Sequence, residues 1–270
     1  MEKIATDILR RIRVIVVTIL KMTIQKMTLL YHQVVTAVLH RRQRCQQRLW
    51  EKKAVQFYSQ FISPSSLCFD IGANIGNRTA LFRKLGASVV ALEPQDDCVE
   101  ELKRKYSADS KVRILQKAVG AYEGEIDMYI NTKLNIGSSC SKEWIDMMKH
   151  PKYLVWDKTV KVKMTTLDSL IAEFGLPSFC KIDIEGFEYE AMKGLSQAIK
   201  VMSFEYQEQV IRPAVDSTKR LAALGMTKFN YSVGESMELA LPNWVTANEI
   251  CNILEDLSNK TRFGDVYATI

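Results

Sequence analysis

Closely spaced cysteines are missing from this chain of 270 residues, and histidine is scarce. No two of the six cysteines have the spacing of a zinc ribbon or a thiol redox motif, which excludes both classes. Cys68 and Cys180 lie in apolar runs that predict neighbouring buried strands. We therefore expect reduced thiols that pack as core residues, as in a cytoplasmic enzyme. Of three histidines, only His150 lies beyond the N-terminal segment, and we expect it to be a solvated loop residue.

An unbroken apolar run of the length that a membrane helix needs is also missing. Residues 12–39 come closest, but Lys21 and Lys26 interrupt them, and a spanning helix needs about 20 predominantly apolar residues. No small-residue cleavage site follows, which argues against a signal peptide. We expect an amphipathic or bundling helix that docks on the enzyme, on a second copy, or on a membrane surface.

Charge is unevenly distributed along the sequence. Residues 1–53 carry twelve Lys or Arg and three Asp or Glu, a net charge of +9, and the remainder has a net charge of −3. The basic block suits an anionic membrane surface or nucleic acid, or it is a solvated face that contacts a partner. We expect no nucleic-acid partner. The sequence predicts a helical extension at residues 1–55 and one catalytic domain at residues 56–270.

From residue 57 onward, short apolar runs alternate with helical periods, a pattern typical of β-α units around a mostly parallel sheet. The predicted helices are 77–85, 96–106 and 167–174. Residues 131–163, with the aromatic side chains of Trp144, Tyr153 and Trp156, predict an irregular region of the kind that forms lids or binding loops. The predicted strands are 67–71, 88–92, 112–115, 125–130, 179–184, 201–205 and 264–270.

A glycine-rich turn follows the first predicted strand, where residues 69–76 read FDIGANIG. Gly72 and Gly76 permit a tight turn, and the following helix presents unpaired N–H groups to a ligand. A dinucleotide motif would read G-x-G-x-x-G, but Asn74 stands in place of its middle glycine, and Asp70 brings a carboxylate that a pyrophosphate would repel. S-adenosylmethionine carries an ammonium and a sulfonium and no phosphate, so the turn favours that cofactor.

Glu93 ends the second predicted strand, seventeen residues beyond Gly76. A carboxylate at this position can accept hydrogen bonds from both hydroxyls of a ribose. Alone, Glu93 could be an exposed charge at a strand end. Together with the turn, it predicts a cofactor site.

With these residues the chain resembles the FkbM-like family of S-adenosylmethionine-dependent methyltransferases, over residues 67–195. The resemblance implies the α/β class I methyltransferase fold, a Rossmann-like architecture with a seven-stranded, mostly parallel sheet, helices on both faces and an antiparallel final strand. The N-terminal segment and most of residues 131–163 lie outside the likeness. The motifs that carry it are FDIGANIGNRT (69–79), ALEPQ (91–95), AVG (118–120), TTLDSL (165–170) and, most specific, KIDIEGFEYEAMKG (181–194).

The resemblance also implies roles for single residues, with S-adenosyl-L-methionine as cofactor and no metal. The stretch 116–119, with Lys117 and Ala118, would lie against the adenine, and Glu93 would bind the ribose. Asp183 and Glu185 would face the sulfonium and the acceptor. The methionine part would contact Asp70, Gly72, Asn74 and Gly76.

Transfer of a methyl group to a hydroxyl requires alignment of the two partners and removal of a proton. The candidate catalytic residues are Asp183, Glu185 and Glu205. The first two alternate along a predicted strand, so they point to opposite faces unless a turn begins at Glu185. We expect Asp183 toward the cofactor and Glu185 toward the acceptor. Two alternatives stay open: Glu185 caps the next helix, or Glu205 forms a core salt bridge with a lysine such as Lys181.

The leading hypothesis is O-methylation of a small molecule, a sugar or a lipid-linked glycan. One alternative is an NAD-type oxidoreductase on a similar sheet, which Asp70 and Asn74 disfavour. Another is a non-catalytic scaffold of the same fold, tethered by its basic N-terminal helix. The three carboxylates could also hold a divalent ion, although the resemblance implies none.

Overall fold

The computed structural model describes Arg10, Arg13, Tyr31, His32, Val35, Thr36 and residues 38–133, 137–148, 155–257 and 263–270. The chain divides into two compact units, Met1–Lys52 and Lys53–Ile270. Residues 38–52 of the first unit are helical. Most of the apolar run 12–39, together with His150 and Tyr153, lies outside the described residues. Over the part that is described, none of the helices combines the length and the apolar character needed to cross a membrane.

Ten strands form two sheets within the described residues of the second unit. The larger sheet has the order β3-β2-β1-β7-β8-β10-β9, and β10 runs antiparallel to both of its neighbours. The smaller sheet has the order β4-β6-β5. In chain order the strands are β1 (Leu67–Ile71), β2 (Ser88–Leu92), β3 (Val112–Leu115), β4 (Ala118–Val119), β5 (Gly124–Asn131), β6 (Trp156–Thr165), β7 (Phe179–Ile182), β8 (Val201–Gln207), β9 (Lys228–Val233) and β10 (Phe263–Thr269).

Helices cover both faces of the larger sheet. On one face, Tyr58 and Phe82 pack edge-on against Phe179 of β7. On the other, Phe69 and Ile71 of β1 belong to a buried cluster with side chains of α4 to α7. The helices are α1 (Asn77–Lys84), α2 (Asp96–Tyr106), α3 (Lys142–Met147), α4 (Leu167–Phe174), α5 (Glu188–Lys193), α6 (Ile211–Ala223) and α7 (Ala247–Leu257), with a 3₁₀ turn at Glu208–Val210.

This architecture confirms the predicted fold class. Because a strand in the middle of a parallel sheet is buried on both faces, its sequence is a continuous apolar run, and β1 and β2 have the predicted bounds. The antiparallel final strand lies inside the sheet as expected. All six cysteines are free, and Cys68 and Cys180 lie on the paired strands β1 and β7.

The prediction of an irregular region at residues 131–163 is wrong in two places. Ser141 caps α3 by accepting a hydrogen bond from the backbone N–H of Trp144. Strand β6 pairs with β5 in an antiparallel ribbon whose register runs from Gly124 opposite Met164 to Ile130 opposite Lys158. One face of β6 is exposed, so its valines alternate with lysines, and the sequence has no apolar run that would predict the strand.

Candidate functional site

The turn after β1 requires glycine at two positions. Gly72 has φ +79°, and a Cβ there would lie 1.9 Å from the backbone oxygen of Asp183. Gly76 has φ +85°, and a Cβ there would lie 2.8 Å from Leu102 and Tyr106. Gly76 is also the N-cap of α1 and offers no side chain, so the first N–H groups of α1 receive no cap from it. Close packing against neighbouring protein atoms therefore requires glycine at both positions, and the N-terminus of α1 at the end of the turn has no side-chain cap.

Glu93 joins the end of β2 to this turn. One of its carboxylate oxygens accepts a hydrogen bond from the backbone N–H of Asn74 at 2.9 Å, and the other accepts one from the N–H of Gln95 at 2.9 Å. Burial raises the pKa of Glu93, while these backbone donors oppose the rise. The structure thus brings together Glu93 and Asn74, which the sequence predicted to share a cofactor site.

Asp70 lies deeper than a ligand-facing residue would. Its side chain is buried, and the Thr79 hydroxyl donates a hydrogen bond of 2.5 Å to its carboxylate, which ties β1 to α1. Burial raises the pKa of Asp70, and the Thr79 donor partly offsets the rise. The contact between Asp70 and the methionine part of the cofactor stays a prediction.

The residues expected beside the adenine follow β3. Lys117 is half-buried, and Ala118 begins β4. A cleft of about 650 Å³ opens next to them, between the segment 94–98, Gln116 and the ribbon of β5 and β6. Of the stretch 116–119, Gln116 lines the cleft and Lys117 and Ala118 do not, so their contact with the adenine stays a prediction.

The acidic cluster comprises Asp183, Glu185 and Glu205. Strand β7 ends at Ile182, earlier than predicted, and the left-handed backbone of Glu185 (φ +54°) and Gly186 (φ +84°) forms a turn. Of the two arrangements that the sequence left open for Asp183 and Glu185, the structure has the one in which a turn at Glu185 brings them together, because the strand does not continue to residue 185. Carboxylate oxygens of the three acidic residues all lie within 4.8 Å of one another.

Proximity and burial change the protonation of this cluster. Burial raises the pKa of Glu185 to about 7, and the neighbouring charges of Asp183 and Glu188 add to the rise. Burial also raises the pKa of Glu205 well above its ordinary value, and the same carboxylates contribute. Since charged carboxylates at this distance repel one another, the cluster retains a proton near neutral pH.

Gln207 bridges two members of the acidic cluster. Its Nε2 donates a hydrogen bond to Glu205 at 2.9 Å and another to Glu185 at 3.1 Å. One oxygen of each carboxylate is therefore bound by an amide donor rather than available to a cation. One oxygen from each of Asp183, Glu185 and Glu205 nevertheless lies within 4.8 Å of the others, a spacing that a divalent ion could bridge, and the absence of a metal that the family resemblance implies stays a prediction.

Lys181 is a buried cation beneath the cluster. Its Nζ contacts Asp183 at 3.1 Å and Asp265 at 2.8 Å. Burial alone would lower the pKa of Lys181, but the two carboxylates raise it well above its ordinary value. The alternative of a salt bridge between Lys181 and Glu205 is wrong, since the lysine binds these other two acidic residues.

The helix cap suggested for Glu185 is not observed in this turn. Glu188, the first residue of α5, accepts hydrogen bonds from the backbone N–H groups of Ile184 at 3.1 Å and Gly186 at 3.3 Å. The Glu185 carboxylate instead accepts from Gln207 and from the backbone N–H of Gly137. Glu188 thus stabilises the turn through its backbone N–H groups, and the Glu185 carboxylate lies in the acidic cluster instead of capping the helix.

Sequence reasoning missed Glu188, Gln207 and Trp144 as members of the site, and it named Lys181 only as a salt-bridge partner of Glu205. Lys181 and Glu188 lie within the most specific motif, which could have indicated them. Trp144 and Gln207 meet across 63 positions of sequence, and a contact of this kind leaves no local pattern.

The fold and the site together define a class I methyltransferase that uses S-adenosylmethionine. The chain belongs to the family described as "Methyltransferase FkbM domain", whose sequence model matches residues 70–241, and this confirms the resemblance. No curated protein matches the chain.

Among similar solved structures is a precorrin-6y C5,15-methyltransferase from Geobacter metallireducens, with 9% identity and a TM-score of 0.41 over 80% of this chain and 86% of that one. An rRNA methylase from Streptococcus thermophilus has 10% identity and a TM-score of 0.41 over 80% and 92% of the two chains. A TehB-like methyltransferase from Corynebacterium glutamicum has 9% identity and a TM-score of 0.41 over 80% and 86%.

Proposed function

We propose that the protein methylates a hydroxyl oxygen on a small molecule, a sugar or a lipid-linked glycan. The observation that carries this proposal is the acidic cluster beside the glycine-rich turn, where the backbone N–H of Asp183 donates a hydrogen bond of 2.9 Å to the oxygen of Ile71 at the start of the turn. A pKa of about 7 for Glu185 suits a group that must accept a proton from a hydroxyl, because general bases work best when their pKa is near the ambient pH.

The chain's own residues would divide the work as follows. The turn would hold the methionine part through Gly72, Asn74 and Gly76, Glu93 would bind the ribose, and Lys117 and Ala118 would border the adenine. When bound, the cofactor supplies a methyl group activated by the adjoining sulfonium. Asp183 would face the cofactor, and Glu185, with Glu205 beside it, would take the proton from the acceptor hydroxyl. Alignment of the two reacting atoms supplies much of the rate in such a displacement.

Methyl-labelled S-adenosylmethionine, incubated with the protein and fractionated lysate, tests this proposal. We expect label in the small-molecule, glycan or lipid fraction, in a form that resists alkali as an ether does, and none with Glu185→Gln. Glu190→Gln, on a partly exposed residue five positions away that pairs with Lys193, is the matched control and should retain transfer. Label in RNA or on carbon would contradict O-methylation. Cofactor binding without transfer to any fraction would favour the scaffold alternative.

For residues 1–52 we propose a peripheral contact with an anionic membrane surface, by a protein whose catalytic unit works in the cytoplasm. The helix at 38–52 exposes the apolar side chains of Val38, Leu39 and Leu49 among its basic residues. This composition suits binding in the plane of a membrane interface. The extension and the catalytic domain, with their boundary at residue 55, stay a prediction.

Flotation with phosphatidylserine vesicles tests the membrane contact. We expect the full chain to float, and Leu39→Ser combined with Leu49→Ser to remain at the bottom of the gradient. Phosphatidylcholine vesicles are the control for charge. Equal flotation of the full chain and the double variant would overturn the contact, and a dimer in solution without flotation would favour self-association.

A further inference from the structure

A chain of hydrogen bonds runs from a buried tryptophan to the acidic cluster. The indole Nε1 of Trp144 lies 2.7 Å from Oε1 of Gln207. Nε2 of the same Gln207 amide lies 2.9 Å from Glu205 and 3.1 Å from Glu185. Trp144 lies on α3, and Gln207 is the last residue of β8, so the chain links two separate elements.

The direction of this chain follows from the chemistry of its members. An indole N–H can only donate, so the atom that it meets must be the amide oxygen. The amide nitrogen must then face the carboxylates, and it too can only donate. Glu185 and Glu205 must therefore each present an unprotonated oxygen to Gln207. Any proton that the pair takes up must lie on one of the two carboxylate oxygens that do not face the amide.

Packing holds Trp144 in place. Its side chain is buried and makes an edge-on contact with Trp156 at 5.9 Å between ring centroids. A Cβ on Gly186 would lie 2.3 Å from the indole, so only glycine lets the ring rest on the turn that carries Glu185. The hydroxyl of Ser139 donates a hydrogen bond of 2.7 Å to the backbone oxygen of Glu185.

We propose that Gln207 and Trp144 are positioning residues of the methyl-transfer site: the indole fixes the orientation of the amide, and the amide holds Glu185 and Glu205 together with one unprotonated oxygen of each. The catalytic significance of this arrangement rests on the proposed function. The arrangement itself does not, because it can be measured without an acceptor.

The charges around the pair make these two donors important. Asp183 and Glu188 face it from the end of β7 and from α5, and Asp265 lies opposite Glu205 in the register of β10 and β8. Lys181 is the nearby cation, and its ion pairs are with Asp183 and Asp265. Burial and the neighbouring carboxylates raise the pKa of Glu185, and the Gln207 donor opposes the rise.

Carbon-13 NMR of the full chain labelled with [5-¹³C]glutamate tests the proposal. Glu185→Gln and Glu205→Gln assign the two carboxyl resonances, which are then titrated from about pH 5 to about pH 9. Gln207→Met keeps the length of the side chain and removes both donors. We expect the midpoints of both carboxyls to rise by about one pH unit or more.

Trp144→Phe keeps an aromatic ring beside Gly186 and removes the N–H together with part of the indole. We expect a smaller rise of both midpoints, because the amide is then free to turn its oxygen toward the carboxylates. The double variant should titrate like Gln207→Met alone, since the indole acts through the amide. Trp244→Phe is the matched control, on a half-buried tryptophan that contacts Phe61, and should titrate like the unchanged protein.

Unchanged midpoints in Gln207→Met would overturn the proposal, and a rise in Gln207→Met without one in Trp144→Phe would overturn the role of Trp144. If Gln207→Met does not fold, Gln207→Leu replaces it, since leucine also lacks both donors and adds no charge, and the same rise of both midpoints is expected. A failure to find any methyl acceptor would contradict the proposed function and leave these titration results standing.

Discussion

The position of Gly72 is set by contact rather than by flexibility. Its φ of +79° is costly for any other residue, and a Cβ would overlap the backbone oxygen of Asp183 at 1.9 Å. The β1 turn and the acidic cluster are therefore held at a fixed separation by backbone atoms, and a side chain at this position would move one against the other.

Gly72→Ala should weaken binding of S-adenosylmethionine by about tenfold or more, since a displacement of the turn that costs about 1.4 kcal/mol of binding energy lowers the affinity tenfold. Calorimetric titration measures the affinity. Gly225→Ala is the matched control: its φ is +98°, but no atom lies within 4 Å of the added Cβ. The control should lose about 1 kcal/mol of stability and keep its affinity. Equal affinities in the two variants would contradict this account of the turn.

Lys181→Met should destabilise the protein by roughly 3 to 5 kcal/mol, because Asp183 and Asp265 would then lack their buried cation. Denaturation by urea measures the loss. Lys161→Met removes an ion pair with Asp127 whose two side chains are exposed, and its midpoint should remain unchanged. A small loss with Lys181→Met would mean that the two carboxylates find other partners.

At the scale of elements, α3 has six residues, and its position depends on its cap and on packing. A helix this short has little stability of its own. Ser141 supplies the cap, and the helix places Trp144 against the turn of the acidic cluster. The order of α3 and the orientation of the Gln207 amide are thereby linked.

Ser141→Ala should cost about 1 kcal/mol of stability and shift the emission of Trp144 toward longer wavelengths, because a loosened α3 exposes the indole. Thr166→Ala removes the corresponding cap of α4, where Thr166 accepts a hydrogen bond of 3.0 Å from the N–H of Ser169. This control should lose similar stability with unchanged emission. Identical emission in both variants would show that the cap does not position Trp144.

The elements also show how far the sequence could predict the structure. The parallel strands and the glycine-rich turn have local patterns, so the sequence predicts the bounds of β1, β2 and β3 and the placing of Asn74 and Glu93 in one site, whereas β7 ends earlier and β8 later than predicted. Strand β6 has one exposed face, and the lysines on that face interrupt the apolar pattern by which a strand is predicted. Gln207 and Trp144 depend on the way in which β8 and α3 meet, which is a property of tertiary packing that no local pattern encodes.

At the scale of the whole molecule, several buried carboxyls have raised pKa values in the folded state. Burial raises the pKa of Glu188 from 4.5 to about 7, and that of Glu185 to about 7. Between about pH 4.5 and about pH 7 these carboxyls are protonated in the folded state and ionised in the unfolded state, so the folded state binds more protons. The free energy of unfolding therefore falls as the pH rises through this window. Carboxyls with lowered pKa values, such as Asp109, stabilise the folded state when ionised, and that stability is lost as the pH falls below this window.

The protein should accordingly be more stable at about pH 5.5 than at about pH 8 in urea denaturation. Glu188→Gln should remove about 2 kcal/mol of this difference, since about 1.5 units of the raised pKa lie above pH 5.5 and one unit corresponds to 1.36 kcal/mol. The glutamine retains an oxygen for the N–H groups of Ile184 and Gly186. Glu190→Gln is the control on the same helix and should leave the difference unchanged. Rising stability over this range would contradict the assignment.

The hydrogen bonds within the glycine-rich turn affect how the cofactor binds and how it is released. The N–H groups of Gly72 and Ala73 both donate to the backbone oxygen of Leu92 at 2.9 Å, and that of Asn74 donates to Glu93. The turn is thus preorganised, so binding of a ligand loses little backbone conformational entropy there. Entry of a fresh cofactor and departure of the spent one can proceed without folding or unfolding this part of the chain.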